Sequence, residues 1–169
     1  MKKKLIEKGF TYDAQSDFFE GEFNGHDVQL FIVTNNNKVY RIMLCDALGQ
    51  DEANIKIRFN ILVAQFEKSK KYLTLEEQAI PDEDDISYEM SVHNKIYEAI
   101  FYQKPLDYKD VNIYTQKQAE EQAKALEPAL KKAVWFRICE NYGKYYIAMF
   151  YDNKYNGERG VRKERGVTD

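Results

Sequence analysis

A chain of 169 residues with 44% hydrophobic and 31% charged side chains is long enough for one ordinary soluble domain with a real core. Its net charge of −3 argues against nucleic-acid binding through a broad basic face, because an acidic chain repels a phosphate backbone. No run approaches the ~18 apolar residues of a membrane-spanning helix, and the 2 cysteines and 2 histidines are too few and too scattered for a zinc cluster.

The start, MKKKLIEKGF, has the basic opening of an export signal but no apolar run follows. It reads as the end of a helix that begins before Met1, with Gly9 as its C-terminal stop and Phe10 folding back. Alternation then sets in. Phe19, Gly21 and Phe23 form a short strand, Val28 to Thr34 a second and Val39 to Cys45 a third. The turns between them, NGHD and NNNK, hold residues that tolerate positive φ. From Asp51 the period becomes helical. Ile55, Phe59, Leu62 and Phe66 share a stripe that Ile61 and Val63 widen, with acids at the start and lysines at the end.

The most acidic stretch is PDEDDISYEM, residues 81 to 90. Its carboxylates, Asp82 to Asp85, lack the glycine and spacing of a calcium loop. They read as an exposed turn that keeps the following strand unpaired. That strand is expected from the alternation of Tyr88, Met90 and Val92. It turns at His93–Lys95 and returns as Ile96 to Tyr102, with Pro105 ending the hairpin. A surface helix follows, with Thr115 as N-cap and Pro128 as kink or end. The final hairpin, VWFRICENYGKYYIAMFYDN, turns at Gly143. Residues 159–169 carry no pattern and read as a flexible basic tail after a single α+β domain of residues 1–158. The expected fold is α+β: an antiparallel sheet of successive hairpins, with two to three helices packed on one face.

No sequence motif assigns catalysis. There is no nucleophile elbow and no phosphate-binding glycine loop, since GEFNG is followed by a strand. His26 and His93 both fall in turns, and neither stands near a cysteine in sequence. Cys45 and Cys139 read as buried free thiols rather than a disulfide. The strongest lead is aromatic. In the last hairpin Tyr145, Ile147, Met149 and Tyr151 share one face and Tyr146, Ala148 and Phe150 the other. Trp135 lies on the neighbouring strand. Trp135, Tyr146 and Phe150 are the candidate binding residues for an unknown protein or small ligand. No cofactor and no metal are read from the sequence. The leading function is a non-enzymatic binding domain that uses an aromatic sheet face or edge. The rival is a hydrolase-like enzyme of unrecognised type, built on scattered carboxylates such as Glu89, Glu98 or Asp152 with a histidine.

The segments KKLIEKGFTY, FEGEFNGHDVQLFIVTNNNKVYRI and YGKYYIAMFYDNKYNGE together resemble a group of small uncharacterised α+β proteins from anaerobic gut bacteria. The resemblance runs to about Glu158 and carries no catalytic motif. It implies a signal peptide and an earlier start to the first helix, and thus a domain working outside the cytoplasm. It also implies an end soon after residues 156–158, so the tail departs from the pattern.

Overall fold

The structure is a computed structural model, and it describes residues 1–105, 108, 115–153 and 155. The expected basic tail, residues 159–169, lies outside the described residues.

Helix α1 (Lys2–Glu7) stops as expected at Gly9, whose φ is +90°. The Gly9 N–H donates to the Ile6 carbonyl at 3.0 Å and the Phe10 N–H to that of Leu5 at 3.1 Å. This paired bond satisfies carbonyls the helix end leaves open and reverses the chain. The reversal drops the Phe10 ring onto Gly21. A Cβ there would lie 2.6 Å from Phe10 Cδ1, so the glycine makes room for a core ring.

Strands β1 (Thr11–Asp13), β2 (Phe18–Phe23), β3 (His26–Asn35) and β4 (Lys38–Asp46) form an antiparallel meander. Its tight turns are set by residues that accept positive φ: Asn24 and Gly25, then Asn36 and Asn37. Helix α2 (Glu52–Lys68) follows, capped by Asp51, which accepts the Asn54 N–H at 2.8 Å. The second half comprises β5 (Tyr72–Leu73), α3 (Ile86–Val92), β6 (Glu98–Gln103), α4 (Gln116–Leu130), β7 (Ala133–Asn141) and β8 (Lys144–Asp152). All strands among the described residues join one eight-stranded antiparallel sheet in the order β1-β2-β3-β4-β8-β7-β6-β5. The last hairpin is therefore inserted at the centre, with β8 against β4. The α+β class and the antiparallel sheet are as the sequence led us to expect.

The expected middle hairpin is not there. The segment read as a strand from Tyr88 to Val92 is helix α3. Asp85 caps it by accepting the Tyr88 N–H at 2.8 Å. Alternation over so few residues does not separate a strand from a helix turn, and burial decides. Ile86 is fully buried, while Tyr88 and Val92 are about half exposed. Strand β6 pairs instead with β7 and β5. Helix α4 has the expected Thr115 cap, completed by Gln118 into a reciprocal capping box. Pro128 stands inside its last turns, and Ala129 is its only buried residue.

The core lies between the sheet and α2. Ile55, Phe59, Leu62 and Val63 are buried on the helix, against Val134, Phe136 and Ile138 of β7 and Tyr145, Ile147 and Met149 of β8. Ile61 does not widen this stripe, being 51% exposed. It stands two residues from Phe59, nearly opposite on the helix, whereas Val63 is one turn on. The sheet curls round the helix. The tip of the β2–β3 hairpin reaches over α2, where Asn24 Nδ2 donates to Gln65 Oε1 at 2.7 Å. Among the described residues no helix is long and apolar enough to cross a membrane.

Candidate functional site

Alternation along each strand sends one set of side chains toward α2 and the other to the opposite face. On that opposite face the register lines up one apolar row across the sheet. Phe31 of β3 pairs with Met43 of β4, Met43 with Phe150 of β8, Phe150 with Trp135 of β7, and Trp135 with Ile100 of β6. All of these are half-buried. At strand spacing the row is roughly 19 Å long. The Trp135 and Phe150 rings stack, with centroids 4.0 Å apart and planes at 14°. Phe18 extends the row beyond Phe31, its ring 5.4 Å away.

A polar clamp stiffens this row. Arg41 is paired with Asp152 in register, and its Nε and Nη2 donate to Oδ1 at 2.6 Å and Oδ2 at 2.9 Å. The Trp135 indole N–H donates to the same Oδ2 at 3.1 Å. The guanidinium sits 5.3 Å from the Trp135 centroid and 5.2 Å from that of Phe150. The fork geometry holds the guanidinium and carboxylate in one orientation. The hydrogen bond to Asp152 holds the Arg41 pKa above its ordinary value.

Of the residues singled out from the sequence, Trp135 and Phe150 come together and Tyr146 does not join them. Tyr146 stands opposite Cys139, with the Arg137–Ala148 pair between it and the stack. Its ring lies over Gly49, where a Cβ would come within 2.7 Å of Tyr146 Cζ. It therefore braces the β4–α2 connection. Cys45 and Cys139 are free and half-buried rather than buried. Strand β8 separates their strands, which sets them roughly 10 Å apart and outside bridging distance. Burial pushes the Cys45 thiol pKa up.

Two further features were not read from the sequence. The first is a buried ion pair. Arg58 of α2 donates through Nη2 to Asp46 Oδ1 at 2.5 Å and through Nε to Oδ2 at 3.2 Å. The Ile147 N–H also donates to Oδ2, at 2.9 Å. A signal was present, since Arg58 falls on the apolar stripe between Ile55 and Leu62, and Asp46 continues the inward phase of Ile42 and Leu44. Arg58 and His26 line a cleft of about 220 Å³ that runs along α2 from Asn54 to Gln65.

The second is a chamber of about 250 Å³, widely open to solvent, beside the second half of α2, beneath the β2–β3 tip. Its walls are the rings of Phe23, Phe66, Tyr72 and Tyr151, with Leu62. Phe23 meets Tyr151 edge-on, and Phe66 meets Tyr72 in the same way. Burial raises the pKa of both tyrosines, so both hydroxyls remain protonated donors at neutral pH.

The acidic turn is structural in a different way from that expected. Asp85 caps α3, and Asp84 Oδ2 accepts from Lys95 Nζ at 2.5 Å and Tyr97 Oη at 2.8 Å. Lys56 Nζ donates to the carbonyls of Asp82 and Asp84. Since no strand follows, these carboxylates guard no strand start. The Asp84 carboxylate ties the turn to the segment leading into β6, and the Asp82 and Asp84 carbonyls tie it to α2. Among the described residues no group of three or more His, Cys, Asp or Glu is placed to hold a metal ion. The Lys95 hydrogen bond, then that of Tyr97, holds the Asp84 carboxyl below its ordinary 3.8. A lowered folded-state pKa stabilises the fold above the unfolded value, and this is lost as pH falls through the folded value. Asp84→Asn is therefore expected to be less stable than the parent at neutral pH. The gap in urea midpoints should close as pH drops from about 5 to below about 3. A gap independent of pH would remove Asp84 from that role.

The carboxylates of the enzymatic alternative are dispersed. Glu89 on α3 faces His93, Oε2 to Nδ1, at 3.0 Å. Glu98 is exposed on β6, and Asp152 is occupied by Arg41 and Trp135. His26 opens β3 and lines the cleft beside Arg58. Comparisons with protein-family models, curated proteins and solved structures find no match to this chain.

Proposed function

We propose that this chain is a non-enzymatic binding domain that holds a protein partner on the sheet face opposite α2. The observation that carries this reading is the Phe31–Met43–Phe150–Trp135–Ile100 row, stiffened by Arg41 and Asp152. Stacked aromatics beside a fixed guanidinium are the side chains that concentrate binding energy at interfaces. A face is favoured over an edge because both edge strands are short, with 3 residues in β1 and 2 in β5. The hydrolase-like alternative has less support, since Asp152 and Glu89 are each engaged by another side chain. The resemblance to proteins of gut bacteria belongs to the same proposal. A domain working outside the cytoplasm is what that resemblance implies, and it implies no activity.

The test uses photo-crosslinking. A crosslinking residue at Met43 is expected to trap a defined partner, whereas one at Ile57, exposed on α2, does not. Phe150→Ala with Met43→Ala should weaken capture by about tenfold or more while the far-UV spectrum is kept. Trp135 is the single tryptophan, so its emission reports directly on this face. Full capture by the folded double variant, with unchanged Trp135 emission on binding, would sink the proposal.

A further inference from the structure

The chamber beneath the β2–β3 tip is independent of the row on the opposite face. None of its lining residues carries a charge, and an uncharged site disfavours an ionic ligand, whose lost hydration nothing would replace. Its aromatic walls instead suit a flat apolar body. An enclosed void of roughly 150 Å³ accepts benzene, and this solvent-open chamber of about 250 Å³ has room to seat a two-ring molecule against its walls.

Its polar groups are few and available. Neither the Tyr72 nor the Tyr151 hydroxyl has a hydrogen-bond partner among the described residues. Neither is sealed off, because among the described residues no buried polar side-chain atom lacks a partner. Each hydroxyl therefore reaches open space while its ring stays half-buried against the chamber. The exposed Asn24–Gln65 amide pair crosses between the hairpin tip and the helix beside it. That contact joins residues 41 positions apart, and it holds the tip over α2 without filling the chamber.

We propose that this chamber binds a small, uncharged, two-ring aromatic molecule bearing a hydroxyl or carbonyl oxygen, which hydrogen-bonds to Tyr72 and Tyr151. The rings slot between Phe23 and Phe66, and the oxygen meets the two phenols.

The full chain, labelled with nitrogen-15, is titrated with 2-naphthol and separately with 2-naphthoate. Saturable amide shifts confined to residues around Phe23, Gln65, Tyr72 and Tyr151 are expected with 2-naphthol, with weaker binding of the charged analogue. The double variant Tyr72→Phe/Tyr151→Phe removes no hydrogen bond within the described residues, so its spectrum should otherwise match the parent. It should bind 2-naphthol at least about threefold more weakly, the loss expected for an unmade hydrogen bond. Shifts that fail to saturate, that map to another surface, or that keep the same affinity in the double variant each overturn the proposal. So does equal or tighter binding of 2-naphthoate.

Discussion

Asp46→Ala is expected to unfold at a much lower urea concentration than the parent, with a loss of about 3–5 kcal/mol and an unchanged slope. Asp46 and Arg58 are 6% and 8% exposed, so little water reaches either. Removing the carboxylate leaves a buried guanidinium without its counter-charge and the Ile147 N–H without its acceptor. Each loss exposes the full desolvation cost of the group left behind, which exceeds the net value of the intact bond. The companion is Asp46→Leu/Arg58→Met. Replacing both charges by apolar groups of similar size should recover the part of the loss due to the unpaired guanidinium, because the pair's attraction mainly offsets its own desolvation, while the Ile147 N–H still lacks its acceptor. A single variant within about 1 kcal/mol of the parent would mean that the pair is solvated. The role of Arg58 as the tie from α2 to the β4–β8 centre would then be lost.

That tie shows where reading the sequence succeeds and where it stops. Gly9, Asn24–Gly25, Asn36–Asn37 and Gly143 mark chain reversals through backbone chemistry that acts locally, so the helix stop and hairpins were legible. The stripe of α2 was legible for the same reason, except that Ile61 falls outside it. The segment from Ile86 to Val92 was not, because its structure depends on Ile86 entering a core built by distant elements. The central placement of β8 was equally hidden. Phe150 was legible as sharing a face with Tyr146 and Ala148 through alternation within the hairpin, with Trp135 on the neighbouring strand. Their continuation into Met43 and Phe31 depends on β8 pairing with β4 across about a hundred residues, as in the Met43–Phe150 pair. The Arg41–Asp152 clamp spans 111 positions. That Tyr146 stands apart from this pair was not legible, because Gly49, which its ring covers, belongs to another loop. The tyrosine chamber arises from the same kind of distant closure.

Phe136→Ala is expected to cost about 3–5 kcal/mol, and Phe136→Leu clearly less. Phe136 has no exposed surface and stands at the centre of an aromatic group. Its ring meets Phe59 edge-on at 5.0 Å and lies 5.9 Å from Phe66 and 6.0 Å from Phe101. In register it faces Ala99 on one side and Met149 on the other. Ala99 is too small to fill the void, and Phe66 is already stacked on Phe101 at 4.9 Å. Little can collapse inward, so the cavity penalty adds to the lost transfer energy. The control is Ile57→Ala, where a 58% exposed side chain should change stability by no more than about 0.5 kcal/mol. Trp135 is the next residue on the strand and points to the opposite face, so its near-UV signal distinguishes two outcomes. A destabilised variant with a native Trp135 signal places the loss in the core alone and leaves the Trp135–Phe150 stack intact. A variant that also loses that signal couples the two faces through β7. A cost near that of Ile57→Ala would contradict the packing of α2 on the sheet, and with it the wall that Phe66 contributes to the chamber.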